Sequence, residues 1–397
     1  MQEIVFYHSA MAGAPTSTLN TAGALLAVLD ACLVNGVNSI SVSMLTQSGG
    51  TATATTASSH NFSVGEWIEL AGADQSAYNA RVKVLTKPAA NQFTFAIAAG
   101  TASPATGTIT ARHPPAGWIK SALGTNIAGY QGGAGSLGLW MQVEDNNPYA
   151  DSHASVRTRL AQGLTALDTA SVLGTQYKIS KPTGGWLIVA DKRSCYLFLG
   201  ALGGTLKTFC FGEYAPFYGA DQFAAFQTIG ASGASNNIYD ESGASVSGIG
   251  SEYWPVVRNL GAEQNAQLLS GLRGVSQIGG PVVLGHNGVM GSLLIPNSSL
   301  SWNPWYVWNQ LLQVPNPADN SIPVSPLFCN EYVSPNLALR GRFRGIYMPL
   351  GRLGSGFVNS FQRLDNATID GVVQSLLLVN TGLLSRQVAF QVDGAWA

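Results

Sequence analysis

Charge is what this chain has least of. Asp, Glu, Lys and Arg together make up 10% of its 397 residues, against roughly a quarter in an ordinary soluble domain. Twenty Lys and Arg stand against twenty-one Asp and Glu, a formal net charge of −1, and the cations are scattered. Gripping nucleic acid takes a basic stripe that neutralises phosphates, so DNA and RNA binding are disfavoured. Also missing is an apolar run long enough to span a bilayer, and the opening MQEIVFYHSAMAGAP carries Glu3 and no basic region before an apolar stretch. The chain is therefore read as neither spanning nor exported by a cleaved leader.

Cysteine is scarce as well. Cys32, Cys195, Cys210 and Cys329 lie far apart with no CxxC pair, which argues against a zinc knuckle or a dense disulfide framework. Reduced, buried thiols are expected. Cys195 and Cys210 are placed to face each other across a hairpin, but spacing alone does not support a bond between them.

Groups that do chemistry are thin on the ground. The five histidines, His8, His60, His113, His153 and His286, form no HExxH or HxH pattern, and GxSxG and P-loop patterns are absent. The available acids are Glu144, Asp145, Asp151, Glu213, Asp240 and Glu241. Adjacent acids on an extended chain point to opposite faces, so Glu144-Asp145 and Asp240-Glu241 make poor glycosidase pairs. A non-enzymatic chain with no metal and no cofactor is expected. Asn61, Asn297 and Asn366 head N-x-[ST] triplets that are read as chance.

What the chain does have is small polar residues, glycine and β-forming segments. Hydrophobic residues make up 46% and glycines number 46, so the surface is mostly Ser, Thr, Asn, Gln and backbone, which suits lasting contact with other protein. Residues 20–36 place Leu25, Leu29, Cys32 and Leu33 at helical spacing, with Asn20 or Thr21 to cap the start and Gly36 to end it. From Val37 the period changes to two. Strands are expected near 39–45, 51–56, 66–70, 80–86, 92–97 and 106–111, closed by Pro114-Pro115, as a compact sandwich or barrel.

Within that stretch lie a repeated-Thr strand (Thr51 to Thr56), a His-x-Phe-x-x-Gly turn (His60 to Gly65), an AGA…YN turn (Ala71 to Asn79) and a closing strand ending ATGTIT (Phe93 to Thr110). Together they resemble a small β module that recurs as an insertion in tailed-phage virion proteins. The flanks, Phe6 to Gly36 and Pro115 to Gln131, resemble the two sides of that insertion in structural proteins of such phages. GGWLIVADKRSCYLFL (184–199), FCFGEYAPF (209–217) and LRGRFRGIYMPL (339–350) are similar to further parts of the same family. The resemblance implies a virion component of the tail, baseplate or neck, and brings no catalytic residues with it.

Further along, residues 152–172 are read as a short helix weakened by Gly163. Residues 184–199 are read as a β-hairpin with one buried face, turning at Asp191-Lys192-Arg193. Residues 228–250, rich in Gly, Ser, Ala and Asn, are read as a loop ordered by a partner. Trp302, Trp305, Tyr306 and Trp308 crowd one Pro-bounded segment, which suits a core corner, a subunit contact or a sugar site. Arg340, Arg342 and Arg344 alternate along a strand, facing solvent, acidic residues of a neighbouring subunit, or phosphate. These seven are the candidate interface. Two closing strands are expected in 368–397.

The fold expected is mainly β with a few short helices, multi-domain, in sandwich-like or barrel-like modules. The parts expected are a main domain split between 1–40 and 113–190, an insert at 41–112 that projects outward, and a C-terminal β-rich domain at 191–397. The function expected is assembly of a phage particle in the bacterial cytoplasm. The partners are copies of the chain, arranged as a symmetric homo-oligomer, and other virion proteins. A tail-tip protein binding a host receptor or glycan, and a capsid decoration protein, are the alternatives.

Overall fold

The segment 184–199 carries apolar residues at both odd and even positions, a pattern that buries both faces of a sheet. The computed structural model describes residues 3–16, 18–146, 155–161, 164, 177–181, 184–200, 207–217, 224–231, 238–239, 272–273, 279–280, 282–285, 324–333, 336–349, 361–369, 371–380 and 387–396. In it, strands Trp186–Ala190 and Ser194–Leu199 pair antiparallel as a hairpin. Asp191 makes the turn, its Oδ1 accepting the backbone N–H groups of Arg193 and Ser194 at 2.8 and 2.7 Å. Every residue of both strands is buried, so the expectation of one buried face is corrected. The hairpin is the middle of a five-stranded sheet in the order Val5–His8, Trp186–Ala190, Ser194–Leu199, Lys207–Glu213, Ala225–Ala231.

Each face of this central sheet has its own cover. Ile188, Cys195, Leu197, Phe209 and Phe211 pack with the N-terminal helical segment and with Tyr130, Met141, Val143 and Val156 of a six-stranded sheet. On the other face Leu187, Val189, Tyr196, Phe198 and Phe226 meet Phe343, Leu377, Val388, Phe390 and Trp396 of a C-terminal sheet. Cys195 and Cys210 sit one residue out of register, Cys195 opposite Phe211 and Tyr196 opposite Cys210, and belong to different cores. Cys32, Cys195 and Cys210 are free thiols, and burial raises the pKa of Cys32 and Cys195.

The helical segment begins later than its sequence suggests. An α-helix covers Ala24–Leu29 and continues as a π-helical turn over Asp30–Asn35. Neither Asn20 nor Thr21 caps it; the N-cap is Gly23, without a side-chain bond. The cap comes from a distant part of the chain: Asp145 Oδ2 accepts the Leu25 N–H at 2.8 Å. Gly36 ends the segment as expected, at φ +75, where a Cβ would lie 2.4 Å from the His113 carbonyl.

Period two takes over at Val37, as the sequence predicts. Seven strands follow in the sheet order Arg81–Lys83, Trp67–Ala73, Gly107–His113, Val37–Ser48, Thr51–Thr56, Gln92–Ala96, Thr86–Ala89. The first and last of these are consecutive in the chain, separated only by Val84 and Leu85. The sheet must therefore curl until its edges approach, and the two connecting residues bond to strands from either half, Val84 N–H to Glu66 O at 2.9 Å and Leu85 N–H to Thr94 O at 2.8 Å. The interior of this half-barrel is a separate core of Leu45, Ala52, Ala54, Phe62, Ile68, Tyr78, Phe93 and Phe95. Its ends lie side by side, with Val37 opposite His113 and Ser41 opposite Thr110.

Two local expectations are overturned. Residues 155–161, expected in a helix, form strand Ser155–Ala161, antiparallel to Trp140–Glu144 and Tyr177–Ser180. The reason is legible afterwards: Val156, Thr158 and Leu160 are buried while Arg157 and Arg159 are only half-buried, an alternation of two rather than 3.6. Part of the loop expected at 228–250 is also strand. Ala225–Ala231 pairs along Lys207–Glu213, and Ile238–Tyr239 pairs with Tyr177–Ser180.

The six-stranded sheet is completed by Ile127–Gln131 and Ile119–Gly124. The C-terminal sheet runs Val282–Gly285, Val324–Val333, Asn336–Pro349, Gln387–Gln391, Val372–Asn380, Phe361–Ile369, with Ala215–Pro216 beside Asn336–Pro349. It includes the two closing strands expected. Among the described residues no helix is long and apolar enough to cross a membrane.

Candidate interface regions

The motifs that carry the phage resemblance are turn and core chemistry. In the His60 to Gly65 turn the imidazole bridges two backbone segments: Nδ1 accepts the Phe62 N–H at 3.0 Å and Nε2 lies 3.1 Å from Gln92 O. That arrangement suits a neutral ring protonated on Nε2, and burial lowers its pKa. In the AGA…YN turn, the Asn79 side chain pairs with both the N–H and the C=O of Ala73, at 2.9 and 2.7 Å, as a neighbouring strand would. Gly72, at φ +86, faces the Thr108 carbonyl at a distance that leaves no room for a Cβ. Tyr78 is buried with its hydroxyl donating to Ala102 O at 3.0 Å. In the Thr strand, Ala52, Ala54 and Thr56 point into the core while Thr51, Thr53 and Thr55 look out.

At the base of the module His113 is 4% exposed, edge-on to the rings of Tyr7 and Phe62 and 3.9 Å from Glu66. Burial pulls its pKa down to about 4 and raises that of Glu66. The module touches the rest of the chain beyond its own two ends. It rests on the C-terminal sheet through Asp393, which takes the Trp67 indole N–H at 3.3 Å, the Lys83 ammonium at 3.6 Å, the Arg363 guanidinium at 3.7 Å and the Ser375 hydroxyl. Nothing in the spacing of residues 67, 83, 363 and 393 announces that junction, because ion pairing between distant segments leaves no periodic trace.

The arginine strand is Asn336–Pro349, and its arginines sit in different surroundings. Arg342 is half-buried, its Cα opposite those of Ala215 and Phe328. Arg344 is 9% exposed and lies inside the chain, its Nη1 donating to Trp396 O at 3.4 Å while Tyr196 donates to its carbonyl at 2.9 Å. Burial lowers its pKa, aided by Arg193 and opposed by Asp191 and Glu213. Arg340 is placed on the strand by its backbone. Trp302, Trp305, Tyr306 and Trp308 lie outside the described residues, as do His153 and His286.

Of the two adjacent acid pairs, Asp240-Glu241 lies outside the described residues, as does Asp151, and the members of the other take separate partners. Glu144 pairs with Arg157 and Asp145 with Lys181. Asn61 and Asn366, which head N-x-[ST] triplets, occupy left-handed turns at φ +57 and +64, where Asn is among the best tolerated non-glycine residues. Exposed apolar side chains include Val372 and Val373, 61% and 63% accessible, beside the turn at Gly371 between Phe361–Ile369 and Val372–Asn380. Among the described residues no group of three His, Cys, Asp or Glu could hold a metal ion. The chain matches no family model and no curated protein.

Proposed function

We propose that this chain is a structural component of a tailed-bacteriophage virion, of the tail, baseplate or neck, which works without catalysis through contacts with copies of itself and with neighbouring virion proteins. The observation that carries the reading is the inserted module. Its four sequence motifs resemble those of insertions in phage virion proteins, and each has a distinct job in building one separately cored half-barrel. A chain poor in charge, with exposed apolar residues at a hairpin turn, suits permanent packing. Trp302, Trp305, Tyr306, Trp308, Arg340 and Arg342 are the residues assigned to subunit contact; Arg344 is enclosed by its own chain. Peptide analysis of density-banded particles from a phage carrying the gene tests the reading. It predicts the chain in purified virions, and an abundant chain that never bands with particles contradicts it. A chain in the virion whose removal abolishes adsorption while leaving particles intact points to the receptor-binding alternative.

A further inference from the structure

One pair of buried side chains is arranged for more than electrostatics. Asp145 directly follows strand Trp140–Glu144, and Lys181 directly follows Tyr177–Ser180. Both strands are antiparallel to Ser155–Ala161 between them, so they run parallel and finish at the same end of the sheet. The side chains meet there with 0% and 1% exposure, Lys181 Nζ lying 2.5 Å from Asp145 Oδ1.

The surroundings fix both groups. Lys181 Nζ donates to Thr21 O at 2.5 Å. Asp145 Oδ2 accepts the Leu25 N–H at 2.8 Å, and the Leu26 N–H also reaches the carboxylate. Its backbone is held at both ends, Asp145 N–H to Asn126 O at 2.8 Å and Gly23 N–H to Asp145 O at 2.7 Å. Full desolvation penalises an ion pair relative to its neutral form, amine beside carboxylic acid, and burial is the largest influence on Asp145, raising its pKa. A carboxyl pushed toward its acid form beside a nitrogen in contact is the pairing that amide condensation starts from.

We propose that Lys181 and Asp145 condense into an intramolecular isopeptide bond, making this point a covalent cross-link between two strands of the six-stranded sheet. One proton passes from Nζ to Oδ1 along their 2.5 Å contact, the freed Nζ lone pair attacks Cγ, and the negative charge that develops on Oδ2 falls against the Leu25 N–H, as in an oxyanion hole. A second proton passes from Nζ to Oδ1, the Cγ–Oδ1 bond breaks, and Oδ1 leaves with both protons as one water while the Nζ–Cγ amide forms. The amide keeps one N–H for Thr21 O. No electrons change hands and no co-reactant is needed. Holding the reacting groups in contact supplies the effective concentration, and the dry site disfavours hydrolysis back.

The test is the intact mass of the purified full chain under denaturing conditions, followed by peptide mapping. The expected mass is lighter than the residue sum by one water, and the digest should yield a branched peptide joining the Asp145 and Lys181 segments. A Lys181→Arg chain should recover the full residue sum. A wild-type mass equal to the residue sum overturns the proposal. So does a loss of water that maps to an Asp-Gly step such as Asp393-Gly394, where a backbone imide forms. Both wild-type measurements decide the matter even where the variant fails to fold.

Discussion

The central sheet and the inserted half-barrel are both antiparallel, and they bury their residues by different rules. In the central sheet, odd and even positions face different cores, so a single strand such as Ser194–Leu199 contributes Leu197 to one and Phe198 to the other. In the half-barrel a strand such as Thr51–Thr56 turns one side to a private core and the other outward. A sheet buried on both faces joins the layers on either side of it, whereas a curled sheet with its own interior needs the rest of the chain only for docking. Damage to the first should spread, and damage to the second should stay local.

The largest expected effect follows directly. Phe211 is fully buried, edge-on to Trp118 at 5.3 Å and beside Phe209 at 4.8 Å. Phe211→Ala should cost about 3–5 kcal/mol and destabilise both covering layers together in a denaturant melt. Phe93→Ala, in the module's core, should cost a similar amount to the module alone. Hydrogen exchange resolved by segment distinguishes the two, and equal loss of protection in the central sheet from both variants would break the comparison.

Acid should strike at the seam between the regions. The buried neutral ring of His113 has a folded pKa of about 4 against an unfolded value near 6.5. Between these values the unfolded chain binds a proton that the folded chain refuses, so stability present above pH 6.5 is lost as pH falls toward 4. The most this can reach is about 3 kcal/mol. Glu66, raised by burial, contributes in the opposite sense, so the informative quantity is the difference between wild type and His113→Gln. The variant should lose less stability on acidification, measured by urea melts across that range.

Smaller effects belong to the contacts between bodies. Arg342→Glu should lower oligomer content with the monomer still folded, at a cost of about 2 kcal/mol if the residue is an anchor; sedimentation reads it out. Asp393→Asn should weaken docking of the half-barrel by about 1 kcal/mol, since its partners Lys83 and Arg363 are partly solvated. Faster exchange in Trp67–Ala73 without loss of the module's core protection is the expected signature.

The same contrast explains what could be read in the sequence. The half-barrel alternates polar and apolar residues, so most of its strands were predictable to within a few residues, Thr51–Thr56 at both ends. What spacing did not reveal was the break at Val84 and Leu85 that splits one expected strand into two sheet edges. The hairpin Trp186–Leu199 is legible as strand from its β-branched and aromatic content, and its two-sided burial is written in the absence of alternation, since both faces are apolar. Ser155–Ala161 reads as helix from its flanking small residues, which suit either state, and pairing with Trp140–Glu144 makes it a strand. Of the candidate interface, the arginine strand was recognisable as a strand, while the burial of Arg344 depends on Trp396 and Tyr196, remote in sequence. The Asp145–Lys181 contact was equally invisible, being set by strand order alone.

The independence of the central sheet from the half-barrel is tested most directly by replacing residues 42–112 with a short Gly-Ser linker. Its ends leave adjacent strands, with Ser41 opposite Thr110, and its core shares no residue with the two that flank the central sheet. The shortened chain should be soluble and melt cooperatively, with the protection of Trp186–Ala190 and Ser194–Leu199 retained. An insoluble product, or one whose central strands exchange freely, would contradict the separation of the two regions.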